Sequence, residues 1–200
     1  TPNWEDGRIF VNNTVFTKYK NELSNNVFDH LSVPGNYRIA ALQPTEDAYV
    51  RDGSSSNTVF GNQDPFRLRT KNASASGYNR QTFLKFSISG LSNIDHARVF
   101  LFGDSRSGNI EIRTDLHAVS NNSWNENSLT WNNKPQIGNS ITNIVSSRDE
   151  VWNSFDVRSH LISKLGNSNC SFALKNNNQD NETVNFDSKE TVDGNIPFLI

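Results

Sequence analysis

From Tyr37 to the last residue, short apolar runs recur with clusters of Gly, Asn, Ser and Asp between them. The runs read YRIAAL, DAYVRD, TVFG, FRLRT, QTFLKFSI, ARVFLFG, IEIRTDLHAV, SLTW, WNSFDV, CSFALK, TVNFDS and IPFLI. Each is too short for an amphipathic helix, and many alternate apolar with polar residues, the period of a strand with one buried face. Many strands at this spacing predict an all-β chain, an antiparallel β-sandwich of jelly-roll type. After residue 40 one helical turn is expected, in VRSHLISKLG (Val157 to Gly166), closed by a glycine cap.

Composition supports one such domain. Only 34% of the residues are hydrophobic, but 13 Phe and 4 Trp concentrate the apolar volume enough for one sandwich-sized core. A net charge of −2 argues against a globally basic nucleic-acid binder, so any anion site must be local. No apolar run approaches the ~20 residues that span a bilayer, and no membrane partner is expected. Cys170 is the single cysteine, which excludes a disulfide framework and a Cys-based metal site, and its setting in NCSFAL reads as a buried small apolar residue. The chain contains no Met, so it is expected to be a processed or excised piece of a longer polypeptide.

Residues 1–40 differ from the rest and read as an N-terminal extension or the end of a preceding module, with residues 41–200 as the sandwich domain. GRIFVNNTVFTKY (Gly7 to Tyr19) predicts a hairpin turning at Asn12-Asn13. KNELSNNVFDHLS (Lys20 to Ser32) predicts a short helix, and Pro34-Gly35 breaks the chain.

The stretch from Asp64 to Ser89, DPFRLRTKNASASGYNRQTFLKFSIS, reads as two strands joined by a polar loop. Alternation puts Phe66, Leu68 and Thr70 on one side of the first strand and Arg67, Arg69 and Lys71 on the other. In the second, Leu84, Phe86 and Ile88 share a face opposite Phe83 and Lys85. Three cations at every second residue cover about 13 Å, the reach of a few sugar units. Arg suits a carboxylate or sulfate because its fork binds two oxygens. The alternative is a solvated outer face whose long side chains keep a sheet soluble. Exposed charge contacts contribute ~0.2–1 kcal/mol each, so four give at most ~4 kcal/mol, about millimolar affinity. A ring stacking on a sugar, from Tyr78 or Phe83, would have to add to this.

The order of the motifs carries a resemblance. DAYVRDGSSSNTVFG (Asp47 to Gly61), Arg80 with TFLKFSIS, IDHARVFLF (Ile94 to Phe102) and SWNENSLTWNNKP (Ser123 to Pro135) follow one another. WNSFDVRSHL (Trp152 to Leu161), SFALKN (Ser171 to Asn176) and VNFDSKE (Val184 to Glu190), followed by Pro197, complete the series. Over roughly residues 45–200 the chain resembles the DNRLRE-type domains, grouped as carbohydrate-binding module family 96. The resemblance implies a jelly-roll sandwich appended to secreted microbial enzymes that cleave polysaccharides, several of them lyases acting on acidic algal polymers such as alginate. Where that family ends its last motif with Ser-Arg-Glu, this chain has Ser188-Lys189-Glu190, which keeps the charge and loses the bidentate fork.

Trp124 and Trp131 flank Glu126 and Leu129 in WNENSLTW, a spacing that reads as a packed structural block with Glu126 holding the loop by hydrogen bonds. Trp152, before a strand, suits either core or surface. Asn132, Asn133 and Gln136 are polar enough to touch a sugar. The loop from Asp52 to Asn57, with Asp47 upstream, offers oxygens to a calcium ion, as jelly-roll carbohydrate-binding modules often do by analogy, with Asp47, Asp52 and Asn57 as ligands. The spacing is not that of an EF-hand, and a turn satisfied by its own Ser and Asn side chains is the competing reading. His30, His96, His117 and His160 have no zinc spacing. A lyase site assembled from His117, Glu111, Arg113, Asp115, Tyr78 and Arg80 is conceivable on paper, with a base for the proton beside a uronate carboxyl.

The expectation is therefore a non-catalytic carbohydrate-binding module of a secreted or cell-surface bacterial enzyme. It is expected to be monomeric, joined covalently to a catalytic domain, and to need no cofactor beyond that calcium. Its ligand is expected to be an acidic polysaccharide, alginate first and other uronate or sulfated polymers next, bound by Arg67, Arg69, Lys71, Tyr78, Arg80, Phe83 and Lys85. Arg80 shares its face with Leu84, which would also suit an anchor at the loop end. The rivals are a structural or adhesive module with no sugar ligand, and a small polysaccharide lyase.

Overall fold

In the computed structural model the described residues are 9–11, 39–63, 67–105, 111–179, 181–191 and 195–200. The strands are β1 (Ile9–Val11), β2 (Ile39–Ala41), β3 (Pro44–Arg51), β4 (Arg67–Lys71), β5 (Arg80–Ser87) and β6 (Arg98–Ser105). They continue as β7 (Ile112–Val119), β8 (Ile137–Ser146), β9 (Val151–Asp156), β10 (Asn169–Asn176), β11 (Thr183–Asp187) and β12 (Phe198–Leu199). The expected helical turn forms as α1 (Arg158–Ile162).

β3 to β12 make one antiparallel sheet with two branch points. β5 pairs along most of its length with β3 on one edge and β10 on the other, and β10 leads on to β7 and β8. β6 is flanked by β9 on one side and by β11 and β12 on the other, and β11 leads to β4. These two layers face each other across one core: Leu84, Phe86, Leu116, Phe172 and Leu174 from the first meet Leu68, Val99, Leu101, Phe155, Val184 and Phe186 from the second. The all-β sandwich read from the alternation is the fold that forms. Where the layers meet at one end, β4 joins β5 through the single registered pair Lys71–Arg80.

The first layer is buried on both faces. Its outer side carries Ala48, Val50, Phe83, Val119 and Ala173, and the segment between β7 and β8 lays Trp124 and Leu129 over them. Trp124 meets Phe83 edge-on with ring centroids 6.1 Å apart, and its indole N–H donates to Ser171 Oγ at 3.1 Å. The WNENSLTW block is thus a cover for a sheet. Trp152 in β9 packs edge-on to Phe102 and Phe198. Cys170 lies in the main core, where burial pushes its thiol pKa up to about 12.

β1 pairs in parallel with β2, Ile9 opposite Ile39 and Val11 opposite Ala41. The turn expected at Asn12-Asn13, the helix expected from Lys20 to Ser32 and the break at Pro34-Gly35 lie outside the described residues, as do Asp64, Phe66 and His30.

Candidate functional site

The seam between the layers carries the site. Arg51 stands opposite Arg80, Arg80 opposite Lys71, and Lys71 opposite Thr183. Residues directly opposite in antiparallel strands project to the same side, so these four form one cross-strand row. At ~4.8 Å between strands, the row covers roughly 14 Å. Arg69 and its partner Asn185 flank it. Together Arg69, Lys71, Arg80, Asn181, Glu182, Thr183 and Asn185 line a groove of about 330 Å³.

Like charges placed opposite one another destabilise a sheet, so this row needs a reason. Among the described residues, none of Arg51, Arg69, Lys71 and Arg80 forms an ion pair with a carboxylate. Partial burial lowers the Arg80 pKa, and the positive charges of Arg51 and Arg69 lower it further. The Nε atoms of Arg69 and Arg80 are buried and lack hydrogen-bond partners. The groove thus holds concentrated positive charge.

Aromatic rings and turns fix these side chains. The Arg69 guanidinium lies over the Tyr49 ring at 5.6 Å, and Tyr49 stacks on Phe60 at 4.5 Å. Arg51 lies over the Tyr78 ring at 5.6 Å and donates from Nε to the Gly77 carbonyl at 2.7 Å. Arg80 Nη1 donates to the Tyr78 carbonyl at 3.1 Å, and Tyr78 itself is 53% exposed. The loop carrying Tyr78 is locked from below: both Asp52 oxygens accept from Asn79, one from its backbone N–H and one from Nδ2, each at 2.8 Å. Gly53 and Gly77 permit this approach, because a Cβ on Gly53 would stand 2.3 Å from Gly77 Cα.

Three residues expected in the recognition surface sit elsewhere. Arg67 keeps to the predicted side of β4, but its Nη1 is 2.8 Å from Asp187 and 3.6 Å from Glu150, which neutralise it. Phe83 is fully buried beneath Trp124 and has no face to offer a sugar. Lys85 is buried under the same segment, donating to the carbonyls of Trp124 at 2.5 Å and Asn122 at 3.3 Å, with Glu46 at 3.9 Å. The cover over the first layer converts both into interior groups. Arg69, Lys71, Tyr78 and Arg80 do come together. Arg80 keeps the parity of Leu84, yet stands past the end of the apolar interior, half-exposed in the groove.

The proposed calcium ligands do not assemble. Asp52 is saturated by Asn79, Asn57 Oδ1 accepts from Asn132 Nδ2 at 2.8 Å in an exposed loop, and Asp47 belongs to a different cluster. There Asp47, Glu126 and Glu190 bring carboxylate oxygens within 4.8 Å of one another. Lys189 Nζ pairs with Glu126 at 2.7 Å and with Glu190, and the Lys189 N–H donates to Asp47 Oδ2 at 2.8 Å. Glu126 Oε2 also accepts the Asp47 N–H at 2.9 Å. Burial first, and the Glu190 charge second, hold the Asp47 carboxyl well above its ordinary value, whereas the carboxylates around Lys189 raise its pKa. Lys189 Nζ thus answers Glu126 and Glu190, while Asp47 Oδ1 and Glu190 Oε2 stay buried without hydrogen-bond partners among the described residues.

Of the residues considered for a lyase site, Arg80 lines the groove, whereas Arg113, Asp115 and His117 are engaged elsewhere. Arg113 pairs with Asp115 at 3.0 Å, and His117 Nδ1 meets the Gly138 carbonyl at 3.0 Å. Neither lines the groove. Sequence reasoning missed Arg51, Thr183 and Asn185, whose place depends on pairings between distant strands. The one local signal was the odd-residue alternation of Arg51 with Tyr49 in DAYVRD.

Compared with known proteins, the chain is 29% identical over 168 residues to a gellan lyase of a Bacillus species, an alignment covering 80% of this chain and 6% of that protein. Residues 38–200 match the sequence profile of carbohydrate-binding module family 96, and the chain belongs to that family.

Proposed function

We propose that this carbohydrate-binding module is non-catalytic and holds an acidic polysaccharide in the groove at the layer seam. The observation that carries this reading is the row of Arg51, Arg80 and Lys71, with Arg69 beside it, left without carboxylate partners among the described residues. An anionic sugar would supply the missing counter-charge, and the exposed Tyr78 would lie against the pyranose. Alginate and gellan are the first polymers to test, the second because the Bacillus relative is a gellan lyase. The module would sit in a longer secreted or cell-surface chain and raise the local substrate concentration for an attached catalytic domain, which makes modest affinity sufficient.

The test is retention on an acidic-polysaccharide affinity gel at low salt. Lys71→Ala with Arg80→Ala is expected to lower retention at least tenfold while the thermal midpoint stays or rises, because the variant relieves like-charge repulsion. Undiminished retention would refute the groove. Ultraviolet absorbance from unsaturated uronate ends, on mixing with either polymer, would establish instead that the chain is itself a lyase.

A further inference from the structure

Three carboxylates and one ammonium meet around Glu126, and their charges do not balance. Asp47 comes from β3, Glu126 from the cover over the first layer, and Lys189 and Glu190 from the turn after β11. Ionised, the four groups carry two negative charges in excess, at a place where Asp47 is 0% and Glu126 8% exposed. Charge taken out of water is costly unless it is paired, so this excess calls for a counter-charge.

The carboxylate oxygens fall into two sets. Glu126 Oε2 accepts the Asp47 N–H at 2.9 Å and Asp47 Oδ2 accepts the Lys189 N–H at 2.8 Å, contacts that fix both groups to the backbone. The other oxygens are free or exchangeable. Asp47 Oδ1 and Glu190 Oε2 are buried and have no hydrogen-bond partner among the described residues. Glu126 Oε1 and Glu190 Oε1 face Lys189 Nζ, on a side chain that still borders solvent at 21% exposure. Oxygens of the three carboxylates lie within 4.8 Å of one another, the spread of oxygens around one cation with bonds of about 2.3–2.6 Å. An all-oxygen set without His or Cys suits a hard divalent ion and not zinc. Glu190 can offer both its oxygens, which favours calcium over magnesium, an ion that holds to a strict octahedron and keeps its waters.

We propose that Asp47, Glu126 and Glu190 form a calcium site, in which the cation takes the place of the Lys189 ammonium and Lys189 turns out to solvent. One divalent ion answers three carboxylates more fully than one ammonium does, and it reaches Asp47 Oδ1 and Glu190 Oε2, which Lys189 leaves unmet. The site shares only Asp47 with the ligand set of Asp47, Asp52 and Asn57 expected from the sequence, and it is independent of the sugar groove. Calcium bound there clamps β3, the cover over the first layer and the turn after β11 to one another.

Calcium titration of the intact chain, first stripped with a chelator and kept free of polysaccharide, tests this. Calcium at about 1 mM is expected to raise the thermal midpoint by about 5 °C, and magnesium at the same concentration by less than half as much. Terbium, a luminescent stand-in for calcium, should be sensitised by Trp124, two residues from Glu126, and calcium should quench that signal. Asp47→Asn keeps the shape, removes a charge and should lose both responses. Lys189→Gln removes the competing ammonium and should bind calcium at least about tenfold tighter, a readout that stands even where Asp47→Asn fails to fold. Absence of a midpoint shift and of a terbium signal in both the parent and Lys189→Gln overturns the site. A calcium response that survives in Asp47→Asn, or an affinity unaltered by Lys189→Gln, overturns it equally. A midpoint that follows pH and ignores every cation also overturns it, and names a proton as the counter-charge.

Discussion

The molecule gathers charge in two places and treats it in opposite ways. Around Glu126, three carboxylates close on Lys189 and on backbone N–H groups, and they tie together β3, the cover over the first layer and the turn after β11. At the seam, four cations gather and none of them forms an ion pair among the described residues, although Glu182 lines the same groove. A paired buried cluster loses stability when one member is removed, because its partner loses its counter-charge. An unsatisfied, open cluster loses little stability when trimmed and is free to spend its field on a ligand. Position in the fold, more than residue type, separates structural charge from recognition charge.

Removing Glu126 should have the largest effect. Glu126→Ala leaves Lys189 with Glu190 alone and strands the Asp47 N–H, and is expected to cost about 3 kcal/mol, a fall of the order of 10 °C in thermal midpoint. Retention of the folded variant on an acidic polysaccharide should be unchanged, and loss of binding without loss of stability would erase the distinction between the two clusters. Lys85→Ala is the next test, since Lys85 is a cation placed with the structural group. It should cost about 2 kcal/mol in a denaturant titration by vacating the Trp124 and Asn122 carbonyls, again with binding intact.

The smallest effect sharpens the acidic cluster itself. The folded pKa of Asp47 lies above its ordinary 3.8, raised first by burial and then by Glu190. Its contribution therefore favours the fold fully below the unfolded value and is lost as pH rises through the folded one. Asp47→Asn cannot ionise, keeps an oxygen for the Lys189 N–H and turns an amide toward the neighbouring carboxylate. The thermal midpoint of this variant relative to the parent should climb as pH rises above about 4. A constant difference across that range would show that Asp47 carries no such strain.

Much of the fold was legible because alternation is a local property. Leu68 and Thr70 against Arg67, Arg69 and Lys71 alternate in the structure as they do in the sequence. The reading failed where a second element covers a strand: Phe83 and Lys85 have the parity of an outer face, but the WNENSLTW segment, far along the chain, makes that face interior. Arg67 was misjudged for a related reason, since Asp187 reaches it only through the pairing of β4 with β11. Arg51 was overlooked because its neighbour Arg80 lies on another strand. Parity can be read from one strand; coverage and partnership require the whole sheet.

The lone Lys71–Arg80 pair has a mechanical consequence. β4 and β5 are joined by this registered pair and by Thr82 Oγ1, which donates to the Arg69 carbonyl at 2.9 Å, with cations on both sides of the joint. A polymer segment gripped by Arg51 and Arg80 on one layer and by Lys71 and Arg69 on the other would act as a removable rivet across the hinge line. Such a bridge would add contacts across the joint, so an occupied module should resist being pried open by tension on its polymer better than an empty one.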